Sequence, residues 1–365
     1  MVKTDNGKPL WSVPASEEDV GKIARLKIRY QLLQDLISQL RSTMSERDPE
    51  KHSIAPPAEM YLMALELETR KKALQEMISF VDEQLFLALS NIEPSHPIKQ
   101  RLKETYQRSV EAIIPVVRAK ISSGISFEDL MTYLSSQRMI LAEIACDLPS
   151  HKFGLARGGP DASLARTLYT VGGRFASLRE AMASLVPLGS KDFVLSPAFD
   201  EIVGQEGVSK LRGRTIWVTI DEQKLPISTL LVCDSPPTNP DMKWLFTEFT
   251  DKTVVCPAVA LLHTDAVNIP VLRSWCGKLF DQICYGEHSH EDLIKLIATL
   301  QWYLAHTMFY YRGSAAISEW LCRALFNVKG YRIVWSQQPD LQALLRPNVD
   351  DYVKSYYEFS KISPG

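Results

Sequence analysis

Between Glu291 and Val328 two successive segments are apolar on more than one side, and only a short polar turn separates them. Leu293, Ile294, Leu296, Ile297, Leu300, Trp302, Leu304 and Phe309 occupy the first; Ile317, Trp320, Leu321, Ala324, Leu325 and Phe326 occupy the second. A helix that is apolar around its circumference has to lie inside a domain. The spacing therefore predicts two central helices, Glu291–Tyr310 and Ala315–Val328, with the rest of the domain built around them. Glu287–Asp292 puts acid at the positive start of the first helix. Lys329–Gly330 stops the second with a glycine in the capping position.

The remaining chain reads in two styles. Residues 16–147 are predicted as successive amphipathic helices, an antiparallel bundle opened by the capping sequence at Ser16–Asp19. A third helix starts at His96–Pro97 and carries Pro115 as a kink; a fourth is capped at Ser126–Asp129. Residues 150–165 form a loop, and a helix interrupted by Gly172–Gly173 follows over Ser163–Leu185. Thr215–Ile220 alternates and is rich in branched residues, so it reads as a strand. Leu225–Val232 is its hairpin partner across Asp221–Lys224, and Thr253–Cys256 is a third strand. Further on come a helix over Ile269–Tyr285, a late strand over Tyr331–Trp335, a short helix from Asp340 and a polar tail. The expected fold is α+β, mostly α: a helical bundle over residues 1–150, then a mixed helical domain over 151–365 with a small antiparallel sheet.

Charge narrows the function classes. Lys and Arg number 41 against 43 Asp and Glu, so no global field attracts nucleic acid or an anionic bilayer. No run approaches the ~18 apolar residues of a membrane span. Met1–Pro14 is polar and lacks the apolar stretch of a secretory signal. The expected location is cytoplasmic, or outside the producing cell by a route that needs no signal peptide. Asp350–Gly365, polar and serine-bearing, is compatible with a C-terminal export signal. The six cysteines form no C-x-x-C pair and read as reduced core thiols.

The turn between the two apolar helices, His306–Ala315, is the candidate site. Small residues open the second helix, and free N–H groups at such a start favour an anion. Arg312 adds a fixed charge and a bidentate fork. Tyr310, Arg312, Gly313 and Ser314 are thus the candidate ligand-binding residues, for a nucleotide or another phosphate-bearing molecule. His306 shares a helical face with Tyr310 and is the nearest candidate general base. A core histidine bonded to a backbone carbonyl is the alternative reading of it. Glu319 is the neighbouring carboxylate, read either as Arg312's ion-pair partner or as a second catalytic group. Elsewhere, His288 and His290 have a metal-compatible spacing but read as a helix cap. Cys256 with His263 and Asp265 reads as a strand cysteine rather than a nucleophile, and Gly154–Gly159 with Arg157 lacks the lysine of a P-loop. No motif names a cofactor or a metal.

Residues 288–332 resemble the core of the Fic (Fido-fold) family, in which an apolar helix, an HPFx(D/E)GNGR loop and a second helix succeed one another. Gly313 falls on the family's first glycine, and Lys329–Gly330–Tyr331 stands where the family closes with Gly-Tyr. Met308, Phe309, Arg312, Ser314 and Ala316 depart from the loop pattern, and His306 stands two residues ahead of the family's histidine. The resemblance is to a degenerate member, and such members include secreted bacterial effectors. It implies group transfer onto or from an anionic substrate, a transferase. The alternative class is an interaction protein without chemistry, an effector or scaffold whose helical bundle binds a protein partner.

Overall fold

The computed structural model describes residues 97–145, 152–157, 168–170, 178–195, 203–204, 207–238, 240–246, 254 and 256–365. The helices expected before residue 97 lie outside the described residues. By contacts the chain divides into two compact units, Met1–Arg108 with Ile140–Lys152, and Ser109–Met139 with Phe153–Gly365. The described parts of the first unit are helical. The second unit holds the candidate site and draws residues from both sides of position 150.

The protein is α+β and mostly helical. The described helices begin with α1, Pro97–Ser122, which carries Pro115 inside it, and α2, Phe127–Ala145. Ser126 caps α2: its hydroxyl accepts from the Asp129 N–H at 3.1 Å and donates to the Asp129 carboxylate at 2.7 Å. Then follow β1, Leu168–Thr170, α3, Arg179–Ser184, and β2, Lys191–Asp192. Within the interrupted helix expected over 163–185, the described residues form a short strand at Leu168–Thr170 and a short helix at Arg179–Ser184.

The long hairpin is β3, Leu211–Ile220, and β4, Gln223–Cys233. Its turn has two residues, Asp221 and Glu222, both left-handed at φ 47° and 66°. That twist matches the twist of the strands it joins, which is why the strands run longer than the expected pair and the turn is tighter. After α4, Pro240–Phe246, comes β5, Ala258–His263. The third strand therefore starts beyond the expected Thr253–Cys256. Pro257 has no N–H to give a ladder, and pairing begins at Ala258 opposite Cys233.

The sheet order is β1-β5-β4-β3-β2. Three pairs are antiparallel, but β2 runs parallel to β3, so the sheet is mixed rather than wholly antiparallel. Leu211, Leu231, Met242, Leu245 and Phe246 fill one face; Met182, Val186, Leu230, Val232 and Leu344 fill the other. Arg212 ties the hairpin to α3. Its guanidinium meets both Asp234 oxygens, at 2.7 and 3.0 Å, and donates to the Ala183 and Val186 carbonyls. This pairing holds the Asp234 carboxyl below its ordinary range.

Beside the sheet stand α5, Ile269–Tyr285, α6, His290–Thr307, and α7, Ser314–Val328. As its all-round apolarity required, α6 is central: α5, α7 and two later helices pack on it. The polar tail is folded. Strand β6, Tyr331–Trp335, is followed by α8, Pro339–Leu344, α9, Val349–Lys354, α10, Tyr356–Phe359, and β7, Ser360–Pro364. Strand β7 returns antiparallel beside β6. Tyr352, Tyr356 and Phe359 recur at helical spacing and are fully buried. The Tyr352 and Tyr356 hydroxyls donate to Gln301 Oε1 of α6, at 3.3 and 2.7 Å.

Candidate functional site

The site region begins with the end of α6. Ser289 caps its start, accepting from the Asp292 N–H at 3.2 Å. The helix stops at Thr307, before the expected Tyr310, because Met308 turns left-handed at φ 52°. The buried side chain of Arg157 takes over the orphan carbonyls there. Its Nη1 donates to the Thr307 and Met308 oxygens, both at 2.8 Å, and its Nη2 donates to the Thr264 oxygen after β5. A cation at the negative end of a helix is favourable, and a guanidinium can serve several carbonyls at once.

Residues 153–157 then run as a strap along the turn. Arg157 N–H donates to Phe309 O at 2.9 Å, Tyr311 N–H to Leu155 O at 2.8 Å, and Gly154 N–H to Arg312 O at 3.0 Å. On the other side, Tyr310 is pinned by its hydroxyl to the Met131 oxygen of α2 at 2.9 Å. The Ser314 hydroxyl accepts from the Tyr310 N–H at 3.0 Å and donates to Tyr310 O at 3.1 Å, so it closes the turn on itself. Gly313 sits at φ 87°, and a Cβ there would lie 2.6 Å from Arg138 Cγ. Gly313→Ala combines a left-handed backbone with that overlap, and the expected loss is about 2 kcal/mol of stability. Urea unfolding measures it; a loss under ~0.5 kcal/mol would mean that the turn and Arg138 move freely apart.

Four arginines gather on this turn. Arg157 is at the helix end, and the Arg138 and Arg312 guanidinium carbons stand 4.2 and 5.7 Å from the centre of the Phe153 ring. Arg273 lies 5.6 Å from the Phe309 ring and is paired with Glu128 at 2.7 Å. Only Arg312 and Arg157 figured in the reading of the sequence, the latter as part of an irregular glycine loop. Arg138 and Arg273 gave no sequence signal, since each sits on an ordinary amphipathic helix.

Tyr310, Arg312, Gly313 and Ser314 are brought together, as their spacing required. The two candidate catalytic groups are not part of that cluster. His306 is fully buried and packs against Trp302, with ring centroids 4.3 Å apart and the rings tilted by 47°. Its Nε2 faces the Ala343 carbonyl at 3.2 Å, so that nitrogen carries the proton. Its Nδ1 then accepts from the Ser228 hydroxyl at 2.9 Å. Burial pulls the imidazole down to about 4, with the Ala343 bond acting in the opposite direction. Both nitrogens are committed to the core and neither faces solvent, so the expected role as a general base is corrected to the alternative, a core histidine. Glu319 pairs with Arg323 at 2.9 Å, one turn along α7, not with Arg312. Burial holds its carboxyl above the usual range, with Arg323 opposing.

The other candidates have structural duties. His288 donates from Nε2 to Gln282 O at 2.7 Å, closing the end of α5. The His290 ring lies 4.5 Å from that of Tyr331. Cys256 packs half-buried against the sheet core, and burial pushes its thiol up. His263 donates from Nδ1 to His306 O at 3.1 Å. Among the described residues no helix is long and apolar enough to cross a membrane.

Comparison with known proteins bears on this same region. A family model described as Avirulence protein (AvrB_AvrC) matches residues 209–361, which take in the hairpin, β5, helices α5 to α7, strand β6 and the first two residues of β7. Avirulence protein B of Pseudomonas savastanoi pv. glycinea is 30% identical over 97 residues. That stretch is 26% of this chain and 30% of the relative, so the chain aligns with less than a third of that protein's length.

Proposed function

We propose that this protein is an effector-type protein, delivered from a bacterium into a host cell, which acts by engaging a host protein partner. One observation carries the reading: the match to avirulence proteins coincides with the structural heart of the second unit, residues 209–361. The turn geometry supports it. The Ser314 hydroxyl is spent on Tyr310, the strap of residues 153–157 occupies the backbone of residues 309–312, and His306 is held in the core. These groups, expected to bind or react, have structural duties instead.

A second reading, group transfer with an anionic substrate at Tyr310–Ser314, is favoured by the gathering of Arg138, Arg273 and Arg312 around the turn. The Fic-like outline of residues 288–332 belongs to this reading. One substitution separates the two. Arg312 is half-buried with its guanidinium against Phe153, so Arg312→Ala should move Tm by less than about 2 °C. Delivered into host tissue, the variant should provoke the same response as the parent chain. A response lost at unchanged Tm would install the turn as the working centre. A parent chain without effect on any tissue would sink the effector reading.

A further inference from the structure

The C-terminal ribbon has an open edge. At one end Gly365 N–H donates to Gly330 O at 2.8 Å, and at the other Ser336 N–H donates to Phe359 O at 2.9 Å. Between them the register pairs Arg332 with Ser363 and Val334 with Lys361. Hydrogen-bonded and non-bonded pairs alternate along an antiparallel ladder. Counting inward from both ends makes 332–363 and 334–361 the bonded pairs. Ser360, Ile362 and Pro364 then turn their backbone away from β6. Two N–H groups and three carbonyls line this outer edge, since proline has no N–H.

Among the described residues no third strand pairs with the ribbon. Burial says which edge is the outer one. Ile333 is buried whereas its mate Ile362 is half-exposed, and Tyr331 is half-buried whereas its mate Pro364 is exposed. Strand β7 therefore lies on the solvent side.

The ribbon face that turns away from the core is basic. Arg332 and Lys361 are exposed and diagonal to each other, with Val334, 52% exposed, opposite Lys361. Among the described residues neither cation is in an ion pair. Two like charges at diagonal positions repel, and an anion set beside them relieves the repulsion. An extended strand added to β7 would place every second side chain on this face.

We propose that β7 is a strand-addition edge for an extended segment of a protein partner with acidic residues at alternate positions. The backbone of Ser360, Ile362 and Pro364 supplies the ladder, and Arg332 and Lys361 select the charge. This rests on the partner-binding reading above and names the surface that serves it.

The test uses the full chain and a fluorescein-labelled nonapeptide alternating Asp with Val. Fluorescence anisotropy should show saturable binding, reduced at least tenfold when Lys replaces Asp or when the peptide backbone is N-methylated. R332E/K361E should also lose at least tenfold while Tm stays put, because both side chains are exposed. Amide exchange at Ser360 and Ile362 should slow when the peptide binds. Equal binding of the Asp and Lys peptides, or no binding to the parent chain, overturns the proposal. So does a phosphatidylserine vesicle that binds through the same two cations while the peptide does not, or peptide-independent dimerisation that protects those amides. The host-tissue response separates the two levels: if R332E/K361E keeps the full response, the ribbon proposal falls and the partner reading stands.

Discussion

Arg157→Met is expected to lower the free energy of unfolding by about 4 kcal/mol, the largest loss for any one side chain around the turn. Methionine fills much of the space of the arginine stem, so the cavity contribution is small. What is lost is the guanidinium that serves Thr307, Met308 and Thr264 at once. The Thr307 and Thr264 carbonyls stay buried without that donor and the Met308 carbonyl partly so, and each unsatisfied buried group costs roughly 1–3 kcal/mol. Arg157→Lys should recover little. An ammonium on a single stem cannot reach carbonyls on both the α6 end and the loop after β5, as the planar fork does. Urea unfolding provides the measurement, read as a lower midpoint at unchanged slope. A loss below ~1 kcal/mol for the methionine variant would mean that water replaces the guanidinium and that the strap is not fastened by it.

The second large effect is acid sensitivity centred on His306. The imidazole titrates near 6.5 in the unfolded chain and near 4 in the folded one. Its neutral form is therefore favoured by folding. The contribution is complete above pH 6.5 and is lost progressively as pH falls towards 4, where the unfolded chain has taken a proton that the native chain refuses. From pH 7 to pH 5 this one residue should remove about 2 kcal/mol. His306→Gln tests the assignment, because an amide can still donate to Ala343 O and accept from Ser228 without titrating. Its unfolding free energy should fall about 2 kcal/mol less than the parent's over the same interval. Parallel curves for parent and variant would show that acid acts elsewhere.

These two residues mark the limits of what the sequence discloses. The centrality of α6 was legible because its apolar positions recur around the whole helix, and side-chain hydrophobicity is written in the residues themselves. The hairpin was legible for the same reason, with alternation in Thr215–Ile220 and a polar break after it. Gly330 announced the end of α7, and the stretches Ser126–Asp129 and Glu287–Asp292 announced the starts of two helices, each closed in the structure by a contact only three residues long. Tyr310–Ser314 could be named as one turn because the chain itself brings them together.

The parallel pairing of β2, the burial of His306 and the duty of Arg157 were not legible. Asp192 lies beside Arg214, His306 beside Ser228 and Ala343, and Arg157 beside Thr264 and Thr307. In most of these contacts the partner is a backbone group. Every residue carries the same carbonyl, so no letter in the sequence marks which one an arginine or a histidine will find. The polar tail misled for a related reason. Tyr352, Tyr356 and Phe359 form a narrow apolar stripe in a segment otherwise rich in charge, and its burial depends on Gln301 waiting on a distant helix. Local periodicity determined the long amphipathic helices, the central hairpin and which pair of helices must be buried. Where each buried polar group finds its partner was decided only by packing across the chain, because that choice depends on distances in space that no spacing along the sequence encodes.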